Sequence, residues 1–346
     1  VIDRVLGHLR VLVAADTTNP PRAITPAHPA LSYTQGVLAA SGFAVEVEDL
    51  GDGSVCVLAT RGSPEFVVNC HLDTVPPDAG WGGDPFTLRV EGDRAIGLGA
   101  CDVKGAAACL LAAAERTTGD GAILLTTDEE AGGARCALRS APILLERFGA
   151  AVVCEPTGLL AVSAHRGVVT GEVEFHGEGG HTSGAGGGRR SAVHDAVRWS
   201  AAALEDEPRV EALRFNIGRI EGGAKPNMIA SRATVRFGLR PRSESEASLE
   251  WLQARLPFGS NSEWRTRFKA PPLRAHPEAG AWIDRLGLTP GEEVHFWTEA
   301  AIFAGAGLPA IVFGPGVIAT AHAPGECVPL ADLAGAGSVF ARWFGS

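Results

Sequence analysis

The chain of 346 residues carries 40 acidic and 30 basic side chains, a formal charge of −10, and is 45% hydrophobic and 20% charged. That length suits two domains of ordinary size, and that balance supports a sizeable core rather than a disordered chain. No Lys/Arg run offers a nucleic-acid surface, Arg189-Arg190 being too short, and no apolar stretch reaches a bilayer span, so neither nucleic acid nor membrane is expected as a partner.

Val1 to Leu12 reads as a helix bearing Asp3, Arg4 and Arg10, not as a signal peptide. Short apolar runs at Phe66–Cys70, Ala122–Thr126, Ala151–Cys154 and Ala310–Phe313 read as buried parallel strands. Helical patterns lie between them, at Lys104–Arg116 and, interrupted by Pro142, at Cys136–Arg147. The middle of the chain differs. Gly171–His176 and Ala233–Leu239 alternate apolar and polar residues, as half-exposed antiparallel strands do, with helices expected at Ser191–Leu204 and Glu244–Leu256 and a strand at Trp264–Phe268. The expected fold is therefore α/β: a large doubly wound, mainly parallel-sheet domain from residues 1–162 and 271–346, with a smaller α+β domain of βαββαβ order inserted as residues 163–270. Seven cysteines without a CxxC pair suit buried thiols in a reducing cytoplasm.

Potential metal ligands fall where these strands end. His71 follows the first strand, Asp102 precedes the Ala-rich helix, Glu129 and Glu130 follow the second strand, Glu155 follows the third, and His322 lies beyond the fourth. Ligands of open parallel sheets bind outside the carboxyl ends of the strands. Each residue alone has a plainer explanation: Asp102 as a helix cap, Asp128-Glu129-Glu130 as a solvated turn, Glu155-Pro156 as a strand exit. Their convergence favours a hydrolytic metal site, since His, Asp and Glu without thiolate suit catalytic zinc. Two imidazoles and three carboxylates exceed what one tetrahedral ion needs and suit two ions sharing a carboxylate. One of Glu129 and Glu130 would ligate and the other serve as general base, while Asp73 would orient His71 through its second ring nitrogen. Cys70 and Cys154 should point into the packed body of the sheet.

The motifs His71-x-Asp73, Gly99-x-x-Asp102-x-Lys104-Gly105, Asp128-Glu129-Glu130, Glu155-Pro156-Thr157, Gly180-His181-Thr182 and Ala321-His322 together resemble the co-catalytic zinc aminoacylase family, which includes aminoacylases, glutamate carboxypeptidase, succinyl-diaminopimelate desuccinylase and acetylornithine deacetylase. The resemblance implies a zinc-peptidase-like catalytic domain with a lid or dimerisation insert, and two Zn2+ ions for which Co2+ can substitute. Asp102 would bridge them, with His71 and Glu155 on one side and Glu130 and His322 on the other. It also implies Glu129 as general base, Asp73 as orienter of His71, and His181 as an oxyanion donor reaching a partner subunit's site in a homodimer. Asn227 and Arg240 match substrate-holding positions. Asn19-Pro-Pro-Arg22, Ala164-His-Arg-Gly167, Leu213–Arg219 and Phe296-Trp-Thr-Glu-Ala300 resemble the arginine-biosynthetic branch of the family. A small N-acetyl amino acid, N-acetylcitrulline or N-acetylornithine, is then the expected substrate, with Glu299 as a pocket carboxylate for its side chain. The glycine-rich Gly177–Gly188 around His181 reads as a gating segment. A dipeptidase, a desuccinylase, a general aminoacylase or an inactive relative are the alternatives.

Overall fold

The computed structural model describes residues 2–21, 23–183, 189–243 and 249–345. The chain divides into two compact units: Val1–Ala164 with Leu273–Glu293 and Thr298–Ser346, and His165–Pro272 with Val294–Trp297. The expected boundaries at 162 and 271 gave the whole C-terminal stretch to the larger unit. Val294–Trp297 groups instead with the smaller one, where Val294 bridges His165 and the Trp297 indole donates to the Pro271 carbonyl at 3.1 Å.

The larger unit is built on a six-stranded sheet, in spatial order Ala44–Asp49, Val55–Arg61, Gly121–Thr126, Phe66–His71, Ala150–Val153 and Ala310–Val312. The last four run parallel, and the first two extend the sheet as an antiparallel edge. Side chains alternate across such a sheet. Val68, Cys70, Ile123, Leu125, Val152, Cys154, Ile311 and Phe313 accordingly share one core with the helices Ile2–Ala14, Gly105–Arg116 and Leu330–Trp343. The opposite face carries Asn69, His71 and Thr126. The helix Arg135–Arg147 runs unbroken through Pro142, contrary to expectation. The bond Pro142 cannot donate belongs to the carbonyl of Leu138, a residue 59% exposed, where water can replace it.

The smaller unit is a four-stranded antiparallel sheet in the order Asn216–Gly222, Arg232–Leu239, Val168–His176, Asn261–Ala270, with the helices Ala192–Leu204, Glu207–Leu213 and Glu250–Gln253. Burial alternates along Arg232–Leu239. One face packs Val173, Phe175, Val235 and Phe237 around the fully buried Trp199, whose indole N–H donates to the Leu252 carbonyl at 2.9 Å. The other face is ionic, with Glu172 taken by Arg267 at 2.7 Å. Of the helix expected at Glu244–Leu256, residues 244–248 lie outside the described residues, as do 184–188 of the glycine-rich segment; Glu250–Gln253 is helical. Among the described residues no helix is long and apolar enough to cross a membrane.

Candidate metal centre

His71 closes the strand Phe66–His71, in register with Thr126. Glu129 and Glu130 follow the strand Gly121–Thr126, and Glu155 follows Ala150–Val153. Asp102 lies in the tight turn Ala100–Lys104, and His322 follows the turn Ile318–Thr320 with a left-handed φ of 56°. These residues form two donor groups, His71–Asp102–Glu155 and Asp102–Glu130–His322; within each, donor atoms lie within 4.8 Å of one another. Asp102 belongs to both. Its Oδ1 is 3.0 Å from His71 Nε2 and its Oδ2 is 3.2 Å from His322 Nε2. Glu155 Oε1 completes the first group at 3.8 Å from His71 Nε2, and Glu130 Oε1 the second at 2.7 Å from His322 Nε2.

Local backbone explains how Asp102 reaches that place. Gly99 has a φ of 75°, and a Cβ there would meet Thr74 Cγ2 at 2.6 Å; a Cβ at Gly105 would lie 2.4 Å from the Ala100 carbonyl oxygen. Only glycine fits either flank of the turn. The Asp102 carboxylate faces the two imidazoles, and the helix Gly105–Arg116 has no side-chain cap, so Asp102 is not a capping residue. Asp128 is the cap-like carboxylate: it is buried and accepts from the backbone N–H groups of Arg135, at 2.8 Å, and Cys136, where the next helix begins.

Asp73 acts more through backbone than expected. The carbonyl of Asp73 accepts from His71 Nδ1 at 3.0 Å, whereas its carboxylate stands 3.6 Å from that ring. A carbonyl can only accept, so Nδ1 keeps its proton and Nε2 is left to face Asp102. The Asp73 carboxylate instead takes the N–H groups of Glu129, at 3.3 Å, and Glu130, at 3.0 Å. One residue thus orients a ring and sets the backbone of the paired glutamates.

The electrostatics follow from crowding. Burial, reinforced by Asp102, pushes the Glu155 carboxyl well above the usual range, and burial with the charge of Glu130 does the same to Glu129. Burial also raises Glu130, against the hydrogen bond from His322. Burial opposes ionisation of Asp102 too, but hydrogen bonds from His322 and His71 outweigh it and hold that carboxyl below its ordinary value. His322 is pushed up to about 11 by hydrogen bonds to Asp102 and then Glu130. Burial would lower His71, yet the carboxylates of Asp102 and then Asp73 carry it well above an ordinary imidazole. Four carboxylates around two imidazoles call for added positive charge. The donors are imidazole nitrogens and carboxylate oxygens, a set that fits Zn2+ or Co2+. Sulfur takes no part in either group: all seven cysteines are free and buried, and Cys101 is held at Thr320 and the Val317 carbonyl, its thiol pushed up to about 12 by burial.

The model of peptidase family M20/M25/M40 matches residues 67–345, a span that contains both donor groups. This chain belongs to that family. Along its sequence it is 42% identical to the N-acetyl-L-citrulline deacetylase of Xanthomonas campestris pv. campestris, covering 95% of this chain and 94% of that one. It is 32% identical to the acetylornithine deacetylase of Myxococcus xanthus, over 96% and 95% of the two chains. The fold matches an M20 family metallo-carboxypeptidase from Sulfolobus solfataricus with a TM-score of 0.79 at 17% identity, covering 99% of this chain and 98% of that one.

In this M20 chain the donor groups and Glu129 lie in the larger unit, while His181, Asn227 and Arg240 lie in the smaller. His181 is exposed on the short strand Gly180–His181, its Nδ1 accepting from the Ser183 N–H at 3.1 Å. The neighbouring Thr182 N–H donates to the Asn227 carbonyl at 3.2 Å, which brings Asn227 beside His181. Arg240 is half-buried, its N–H bound to the Leu213 carbonyl at 2.6 Å. Glu299 is 1% exposed; its Oε2 accepts from the Thr126 hydroxyl at 2.8 Å, while its Oε1 is buried with no hydrogen-bond partner among the described residues. Sequence reasoning missed Glu326, a buried carboxylate that accepts three backbone N–H groups around Asp102; its position four residues after His322, in the same loop, was the available signal.

Proposed function

We propose that this M20 family member is a two-metal amidohydrolase that removes the acetyl group from N-acetyl-L-citrulline or N2-acetyl-L-ornithine in arginine biosynthesis. The observation that carries the reading is the division of the Asp102 oxygens between two imidazole-bearing groups, in a chain 42% identical to an N-acetyl-L-citrulline deacetylase. His71, Asp102 and Glu155 would hold one Zn2+, and Asp102, Glu130 and His322 the other. When bound, the ions supply Lewis acidity and bring the ionisation of water toward neutrality.

The protein's own part is positioning and proton transfer. Glu129 is the general base: Asp73 fixes its backbone, and burial beside Glu130 keeps its carboxylate basic, as a base working near neutral pH requires. It takes a proton from the water that attacks the acetyl carbonyl and returns it to the amide nitrogen as the C–N bond breaks, releasing acetate and the free amino acid. His181 serves as a donor to the developing oxyanion, reaching the site of a second copy in a homodimer formed through the smaller unit. Asn227 and Arg240 hold the substrate carboxylate. Glu299, whose Oε2 is held by Thr126 and whose Oε1 has no hydrogen-bond partner among the described residues, would receive the ornithine ammonium or the citrulline ureido N–H. The seven free cysteines support a cytoplasmic setting.

The test is a competition assay. Zinc-loaded protein receives equal N-acetylcitrulline and N-acetylornithine, and free amino acids are quantified alongside Glu129→Ala. One of the two products is expected, with the variant slowed by about 10²–10⁴-fold while still binding zinc. Absence of both products from zinc-loaded wild type, or full activity of the variant, overturns the reading.

A further inference from the structure

We propose that Glu326 is a positioning residue that fixes Asp102 between the two donor groups, acting through the backbone of the turn that carries it. The inference rests on reading those groups as metal sites.

Glu326 is 2% exposed and uses both oxygens. Its Oε2 accepts from the Gly99 N–H at 2.9 Å, and its Oε1 from the N–H groups of Cys101, at 2.9 Å, and Asp102, at 3.0 Å. The backbone of Glu326 is tied to both loops as well. Its carbonyl accepts from the Gly97 N–H at 3.1 Å, and its own N–H donates to the Ala323 carbonyl at 3.0 Å, one residue beyond His322. The next residues, Cys327–Pro329, pair with Arg94–Ile96. Glu326 therefore fastens the loop bearing Asp102 to the loop bearing His322, two residues of one donor group.

The choice of residue is informative. A tight turn leaves N–H groups without helix or strand partners, and a buried carboxylate satisfies several at once. A second negative charge beside Asp102 is unfavourable by itself, and a residue needed only for packing would be better neutral. Glutamine keeps one acceptor oxygen and turns an NH2 toward a donor; alanine keeps none. A graded loss is expected when an acceptor behind a metal ligand is removed, typically about 10–100-fold in metal affinity.

The experiment is calorimetric titration of the metal-free full-length protein with Zn2+, for wild type, Glu326→Gln, Glu326→Ala and Leu38→Ala, each with its Tm. Leu38 is a fully buried core residue of neither donor group and reports the effect of general destabilisation. The visible spectrum of the Co2+-loaded forms gives a second, activity-independent readout. Wild type binds two ions. Glu326→Ala should bind about 10–100-fold more weakly with an altered cobalt spectrum, Glu326→Gln should fall between, and Leu38→Ala should bind as wild type. If Glu326→Ala fails to fold, Glu326→Gln against wild type decides. Glu326 variants within twofold of wild type, or weakened only as much as Leu38→Ala at equal loss of Tm, overturn the proposal. Wild type that takes up no Zn2+ overturns the metal reading itself and the proposal with it, an outcome distinct because it appears before any substitution.

Discussion

Burial, followed by the charge of Asp128, pushes the Glu299 carboxyl up to about 8 from an ordinary 4.5. The folded chain therefore holds a proton that the unfolded chain releases near pH 4.5. The resulting stabilisation is complete below that pH and is lost as pH rises toward about 8, by about 1.4 kcal/mol for each unit. Glu299→Gln removes the titration, so in metal-free protein it should gain stability relative to wild type between pH 5 and 8; urea unfolding at several pH values, with a difference that stays flat, would count against this. Residues differ in how plainly the sequence shows them. His71, Asp102 and Glu155 could be found because each stands beside an apolar strand or an Ala-rich helix, so the pattern that predicts the element also places the ligand. Glu326 could not be assigned a task that way. Its partners are backbone N–H groups more than 200 positions earlier in the chain, and a backbone donor leaves no mark on residue type. Glu299 shows the same limit: composition identifies a carboxylate near the strand ends but not the depth at which Thr126 holds it.

The strands of the parallel sheet lie within a residue or two of expectation because being covered on both faces requires continuous apolar runs, and few other structures produce them. The helix Arg135–Arg147 was harder to read. A proline in mid-helix usually signals a break, and here the missing bond falls where water can replace it. Its start depends on Asp128, which stands seven residues before Arg135 across a turn and so resembles no ordinary cap in sequence. Asp128→Ala should therefore cost about 1–2 kcal/mol, read as a lower urea midpoint with an unchanged slope; an unchanged midpoint would mean that the helix begins without it. The turn Ala100–Lys104 is the reverse case. Its flanking glycines were visible in the motif, but only the close approaches to Thr74 and the Ala100 carbonyl explain why they must be glycine.

Among the described residues one core lies on the six-stranded sheet and a separate one around Trp199, and both donor groups belong to the larger unit. A ligand stabilises only what it binds in the folded form, by about 2.7 kcal/mol per site at a hundredfold excess over Kd. Differential scanning calorimetry of the full chain should accordingly show Zn2+ raising the unfolding of the larger unit, and chelator reversing it, with the transition of the smaller unit unmoved. A uniform shift of the entire endotherm would argue against this division of stability. The two-unit plan was readable because alternating strands interrupt a series of fully apolar ones, whereas the return of Val294–Trp297 to the smaller unit depends on contacts that four residues cannot announce. The carboxylate common to both groups also limits how the protein can be redesigned. On the two-metal reading, replacing Asp102 would dismantle both donor groups together, so a variant intended to keep one group and lose the other has to be made at His71 and Glu155 or at Glu130 and His322, and a design with two independently tunable ions would first need a separate oxygen donor on each side.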